Sequence, residues 1–146
     1  MKKNIYTLYF HIFPIMYVYK NSKEYWHITL HNHFTTSYGG KIIIQKNQEI
    51  KIDNKGNPWR KRAEVSFNSK NYIFRPGHYE DDEKTITMID QKIYTNNEFE
   101  CSLNKLRRFQ ERSDVYKFEL NENSPEFEIL MLVFLSTQYR GWRSLF

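Results

Sequence analysis

Along most of the chain apolar and polar residues alternate over short stretches. Only once does the pattern change to an unbroken apolar run. Residues 5–12 read I-Y-T-L-Y-F-H-I and residues 15–19 read I-M-Y-V-Y, both dense in strand-favouring side chains, with Pro14 between them at a bend or an edge. Asn21-Ser22-Lys23 is a turn signal, residues 24–34 are a third strand candidate, and residues 35–40 read as a loop. Residues 41–52 predict a hairpin centred on Lys46-Asn47-Gln48, in which Ile50 and Ile52 alternate with charges as in a half-buried strand. Residues 53–58, D-N-K-G-N-P, carry the strongest loop signal. A second hairpin pairs residues 62–67 with 71–75, placing Ala63, Val65 and Phe67 on one face and Tyr72 and Phe74 on one face of the partner. Pro76-Gly77 ends it, and residues 80–83, E-D-D-E, make an acidic turn. A third hairpin joins residues 85–89 to 92–94 around Asp90-Gln91. Residues 98–103 continue as strand, residues 106–112 read equally as a short helix or a basic strand, and residues 115–120 alternate cleanly.

The apolar run lies between Ile129 and Leu135, where every side chain is hydrophobic and no face is left for water. A helix of this kind has to be enclosed. Its ends are marked. Ser124 is a good N-cap, Pro125 suits the first helical position, and Glu126 and Glu128 place anions in the first turn. Arg140 places a cation in the last turn and Gly141 is a stop. The predicted helix, residues 125–140, is shorter than the ~20 mostly apolar residues of a membrane span. It is expected to be a buried core helix. The tally is about ten to twelve short strands and one terminal helix, with no fixed-period repeat. Sheets of that size tend to close, because open edges are a liability. The predicted fold is mainly β (β-rich α+β): one domain over residues 1–146, an antiparallel β-barrel around the C-terminal helix.

Composition agrees with a β-rich reading. Aromatics make up 17% of the 146 residues, with 11 Tyr and 11 Phe, while Ala63 is the sole alanine. The formal charge of +5 is spread along the chain, so it favours nucleic acid or anionic lipid without demanding either. Cys101 is the sole cysteine, which rules out an internal disulfide and fits a reducing compartment. The expected location is the cytoplasm, at most peripheral to a membrane. Lys2 and Lys3 precede an apolar stretch, but His11 and Pro14 break it and no small-residue cleavage site follows, so strands are predicted there rather than a signal peptide.

Residues 61–75, K-R-A-E-V-S-F-N-S-K-N-Y-I-F-R, then Tyr116-Lys117-Phe118-Glu119-Leu120, then a terminal apolar helix, resemble the tubby C-terminal-like superfamily. That superfamily includes the plant LURP-one-related proteins, the phospholipid scramblases and small bacterial proteins. The resemblance covers residues 40–146 and rests on the order and texture of the elements. It implies a closed strand-rich barrel around a hydrophobic C-terminal helix. Eukaryotic tubby members bind phosphoinositides through basic residues whose positions have no match here, so no site is carried over. The Cys-rich segment of scramblases is missing.

Candidate chemistry is sparse. His27, His31 and His33 share one strand parity, and a His-x-His pair can offer two imidazoles to a metal, with His78 as a further ligand. This arrangement resembles the cupin pattern, but Thr35, Thr36, Ser37 and Tyr38 stand where its glutamate belongs. Structural histidines are the simpler reading. Arg60, Lys61, Arg62, Lys105, Arg107, Arg108 and Arg112 are interleaved with Trp59, Tyr72 and Phe109, which suits anionic lipid head groups or single-stranded nucleic acid. A solvated basic rim is the simpler reading of these too. Cys101 has Glu100 beside it and no nearby histidine, so nothing activates the thiol. The acidic run at residues 80–83 lacks calcium-loop spacing. No phosphate-binding glycine loop or nucleophile elbow occurs, and no cofactor is implied. The expectation is a non-enzymatic binding protein that engages an anionic lipid surface or a protein partner. The alternatives are a cupin-like metal-dependent enzyme on the histidine face and a nucleic-acid-binding or phage- or toxin-immunity interaction protein.

Overall fold

The structure, a computed structural model, describes residues 3–11, 15–29, 38–44, 48–55, 62–67, 69–106 and 113–141. In chain order the strands are β1 (Lys3–His11), β2 (Ile15–Lys20), β3 (Lys23–Thr29), β4 (Tyr38–Ile44), β5 (Gln48–Lys55), β6 (Arg62–Phe67) and β7 (Lys70–Arg75). They continue with β8 (His78–Glu80), β9 (Thr85–Ile89), β10 (Lys92–Thr95), β11 (Glu98–Ser102), β12 (Asn104–Leu106) and β13 (Ser113–Asn121), and helix α1 (Pro125–Gly141) follows. The described ladders form a five-stranded sheet, β12-β13-β1-β2-β3, and an eight-stranded sheet, β11-β10-β9-β8-β7-β6-β5-β4. All described pairings are antiparallel.

Tight turns make this possible. Asn21-Ser22, Asp90-Gln91 and Asn96-Asn97 each hold two successive residues at positive φ, between 51° and 67°. That is the primed geometry whose twist matches antiparallel strands. Asparagine tolerates it best, and two of these side chains also tie the hairpins down. Asn21 Oδ1 accepts the Ile5 amide at 2.9 Å and Asn96 Oδ1 accepts the Thr85 amide at 2.8 Å. Pro76-Gly77 links β7 to β8, with Gly77 at φ 67° supplying the left-handed position.

The helix is the common core of the two sheets. All residues from Leu130 to Gln138 are buried. The side chains packed with it come from β1, β2 and β13 (Tyr6, Leu8, Phe10, Val18, Phe118) and from β7 to β10 (Phe74, Tyr79, Ile86, Met88, Ile93). Ser124 Oγ accepts the Phe127 amide at 3.2 Å, as an N-cap should, and Ser136 and Thr137 bond back to the carbonyls of Val133 and Phe134. At the far end Gln138 is fully buried and reads the β7–β8 turn. Its Oε1 accepts the Gly77 amide at 2.7 Å and its Nε2 donates to the Arg75 carbonyl at 2.9 Å.

Mainly β with a C-terminal helix therefore holds, and no closed barrel is found. Among the described residues the ladders stop at β3 and β12 in one sheet and at β4 and β11 in the other, five and eight strands rather than one ring of about ten to twelve. The neighbouring ends still approach each other, β3 beside β4 and β11 beside β13. The reason is visible at Leu103. The single strand predicted over residues 98–103 bends there, leaves β10 and joins β13 as β12, turning a corner between sheets. Three further expectations change. Residues 38–40, read as loop, pair with residues 52–54 in β4–β5 despite Gly39 and Gly40. Residues 53–55, also read as loop, are the end of β5 and pair with β6. Residues 78–80, of which only Glu80 was assigned, to the acidic turn, form β8. In each case cross-strand pairing overrides local composition.

Enclosure predicts unequal mutational costs. Phe134→Ala, at a fully buried position packed 6.0 Å centroid to centroid from Phe74, is expected to cost about 3–5 kcal/mol in chemical denaturation. Ile73→Ala, at an exposed strand position, is expected to stay within about 0.5 kcal/mol. Equal losses at the two positions would contradict a helix enclosed by both sheets.

Candidate functional site

The corner at Leu103 opens a groove. The last β12–β13 pair is Asn104 with Lys117, so residues 118–121 of β13 have a described ladder partner only on the β1 side. β11 has one only in β10. Between these two edges, which have no further ladder partner among the described residues, lies a cavity of about 370 Å³, lined by Phe99, Glu100 and Cys101 of β11, Lys117 and Glu119 of β13, and Lys3 of β1.

A β-bulge shapes its β11 wall. Ile93 pairs with Cys101 and Tyr94 with Phe99, so Glu100 is the extra residue. Bulges re-aim side chains, and this one separates Phe99 from Cys101. Phe99 is 60% exposed and Cys101 only 4%. Burial, and then the neighbouring charge of Glu98, hold the Glu100 carboxyl above its ordinary range. Among the described residues no ion pair reaches it. Burial, with Glu100 adding its charge, pushes the Cys101 thiol up to about 12. It is a floor of the groove, not a nucleophile.

A second polar cluster lies at the helix start. Glu128 Oε2 accepts from the Tyr6 hydroxyl and from Lys20 Nζ at 2.7 Å, and its Oε1 accepts from the Tyr25 hydroxyl at 2.5 Å. Lys20 Nζ lies 4.9 Å from the Tyr25 ring centroid. Tyr25 reaches the carboxylate through another bulge: Val18 pairs with Trp26 and Tyr19 with Glu24, leaving Tyr25 as the extra residue. Burial raises the Glu128 carboxyl, but the bonds from Lys20, Tyr25 and Tyr6, with the Lys20 charge, outweigh it and leave the group below its ordinary value. Burial, then the Glu128 bond and charge, push the Tyr6 phenol up. The carboxylate is fully engaged by the fold, so the cluster is structural.

The residues singled out by sequence are scattered. His27 lies in β3 and His78 in β8, on different sheets, and His31 and His33 lie outside the described residues. His78 Nε2 sits 3.4 Å from Glu80 Oε2 at an exposed position. Among the described residues no group of three or more His, Cys, Asp or Glu is placed to hold a metal. Arg60, Lys61, Arg107, Arg108 and Arg112 also lie outside the described residues, as do Trp59, Phe109, Trp142 and Phe146. Arg62 starts β6 opposite Lys55. Lys105, in β12, is 3.5 Å from an Asp114 carboxylate oxygen and 5.8 Å over the Tyr116 ring. The acidic turn is organised by Asp81, which accepts the Tyr79 hydroxyl at 2.5 Å and the amides of Glu83 and Lys84 at 2.7 and 2.8 Å. No described helix is long and apolar enough to cross a membrane, as expected from its length. The groove was not foreseen, because a regular strand would have put Phe99 and Cys101 on one face. Glu128 was read only as a first-turn anion.

The Glu128 cluster sets a pH window. Its folded pKa lies below the ordinary 4.5, so its stabilisation is complete above that value and is lost as pH falls through the folded value. Asp81 is also lowered, by the Tyr79, Lys84 and Glu83 bonds against burial, so it contributes above the ordinary 3.8. Tyr6 and Tyr79 are raised above the ordinary 10.0, so their stabilisation is present below it and lost as pH climbs beyond it. Denaturation midpoints measured across pH are expected to fall on both sides. Glu128→Gln should lower the plateau by about 1–3 kcal/mol and flatten the acid limb. An unchanged acid limb in that variant would remove Glu128 from the account.

Comparison of the chain with protein-family models, with curated proteins and with solved structures gives no match, so the functional reading rests on these residues.

Proposed function

We propose that the chain is a non-enzymatic binding protein whose partner, a protein, docks at the groove between β11 and β13. The observation that carries this is a cavity of about 370 Å³, walled by an exposed phenylalanine and placed between two sheet edges that have no further ladder partner among the described residues. Sheet edges are kept covered or blunted unless they pair with something. Other chemically able groups are committed elsewhere. Glu128 and Asp81 accept their hydrogen bonds from the fold, and the Cys101 thiol is buried and raised.

Anionic lipid is the reading implied by the tubby-like resemblance. The one basic candidate whose side chain is described, Lys105, already faces Asp114 and Tyr116, which weighs toward a protein partner. Site-specific photo-crosslinking separates the two. A photoreactive phenylalanine at Phe99 is expected to give discrete protein adducts in cells, and one at the exposed Ile73 is not. Equal labelling at both positions would remove the groove as the docking surface. Flotation with vesicles containing anionic lipid is expected to leave the protein at the bottom of the gradient. Co-flotation that depends on anionic lipid would favour the lipid reading instead.

A further inference from the structure

We propose that the cavity between β11 and β13 takes a zwitterionic group, its ammonium set against Glu100, its carboxylate against Lys117 and its apolar part on Phe99. This goes beyond a protein partner. The same chemistry belongs to a free amino acid and to a partner's chain that carries lysine and glutamate close together. The lining holds both signs of charge: Lys3 and Lys117 stand with Glu100 and Glu119 around about 370 Å³. A purely cationic ligand meets two ammoniums there, and a purely anionic one meets two carboxylates. Like charges brought together at a site reject a ligand. A ligand with one charge of each sign, turned the right way, sets both of its charges against their opposites.

Two of these charges are placed by irregularities in the strands. Glu100 is the residue that the bulge inserts in β11, and Lys117 stands where the pairing of β12 with β13 ends. Both are half-buried. Among the described residues neither side chain has an ion pair or a hydrogen bond. Opposite charges on facing walls, closed neither on each other nor on a neighbour, leave room between them for the two ends of a ligand. Burial, with Glu98 adding its charge, raises the Glu100 carboxyl, and an ammonium beside it relieves that conflict. The apolar surface is supplied by Phe99 at the wall and by the buried Cys101 and Phe118 beneath it. Ligand pockets span about 300–1,000 Å³ and combine apolar walls with a few polar groups that fix orientation. This cavity is at the small end, the size of one amino acid or of a few side chains, and too small for a large cofactor.

The test titrates the full chain, isotopically labelled, at pH about 6.5, where an α-amino group is largely protonated. The probes are phenylalanine, N-acetylphenylalanine, phenylalanine amide and N-acetylphenylalanine amide, which share a ring and differ in charge. Phenylalanine is expected to shift the amides of residues 99–102 and 117–119 saturably. It should bind about three- to tenfold more tightly than either singly charged form. Glu100→Gln should bind N-acetylphenylalanine as tightly as phenylalanine, and Lys117→Gln should bind phenylalanine amide as tightly as phenylalanine. A wild-type denaturation midpoint is the control for folding, and loss of folding does not produce that exchange of preference. A blocked tripeptide of lysine, phenylalanine and glutamate carries the same two charges on side chains, and its counterpart with glutamine at both ends carries neither.

Tighter binding of the charged tripeptide than of phenylalanine would uphold the proposal with a partner's chain as the source, and the reverse order would uphold it with a free amino acid. Three results would overturn it: no zwitterionic probe, phenylalanine or the charged tripeptide, shifting those amides at up to about 20 mM, all four phenylalanine forms binding alike, or a singly charged form binding as tightly as the zwitterion. Adducts at Phe99 together with a negative titration would leave the groove as a docking surface and remove the zwitterion alone. Selective binding of phenylalanine without adducts would keep the zwitterion site and remove the protein partner.

Discussion

A helix with no polar face leaves the chain one solution, which is to surround it. Everything else in the fold follows from how that is done without a closed ring of strands. The two described sheets share no ladder; what they share is α1, buried continuously from Leu130 to Gln138. Each large side chain taken fully out of water contributes about 1.5–3 kcal/mol, so the helix is the main cohesive element between the sheets. Phe134 against Phe74 on one side and the stacked Tyr6–Phe118 pair on the other show the two inner faces meeting in one core.

Uniform apolarity has a cost in definition. A helix equally greasy all round has no preferred rotation about its own axis and a weak preference for depth. Its polar exceptions supply both. Glu128 is bonded by Tyr6, Lys20 and Tyr25, one from each of β1, β2 and β3, and Gln138 pairs with two backbone groups of the β7–β8 turn. The first pins the helix start to the five-stranded sheet and the second pins its end to the eight-stranded one. Buried polar groups of this kind stabilise little in net terms when fully paired, but a wrong rotation leaves each of them unpaired at full desolvation cost. The penalty falls on the alternatives rather than on the native arrangement.

The parts of this plan that depend on local chemistry were readable in the sequence. The helix ends are written in Ser124, Pro125 and Gly141, and the Asn21-Ser22 and Asp90-Gln91 turns in residues that tolerate positive φ. The hairpin over residues 62–75 carries the predicted facing, with Ala63 opposite Phe74 and Val65 opposite Tyr72. What escaped was non-local. Both bulges insert one residue against a partner strand, and no residue type announces that: Tyr25 and Glu100 are ordinary strand residues. A single inserted residue reverses the parity on which every facing argument depends. The groove and the Tyr25 contact to Glu128 were therefore invisible for the same reason. The Leu103 corner was hidden differently, since the strand signal runs on through the bend while the pairing partner changes.

The edge left without a ladder partner at that corner, among the described residues, is the remaining tension in the fold. An unprotected edge invites pairing with any extended chain, and sheet proteins normally answer with bulges, inward charges or covering loops. Here β11 carries a bulge and two glutamates, which are protective devices, yet beside them stands an exposed phenylalanine and an accessible cavity, which are not. An edge designed only for solubility has no use for the second pair of features. An edge designed for unselective pairing has no use for the first. The two sets together describe an edge that is blunted along β11 and left accessible at Phe99 and the cavity.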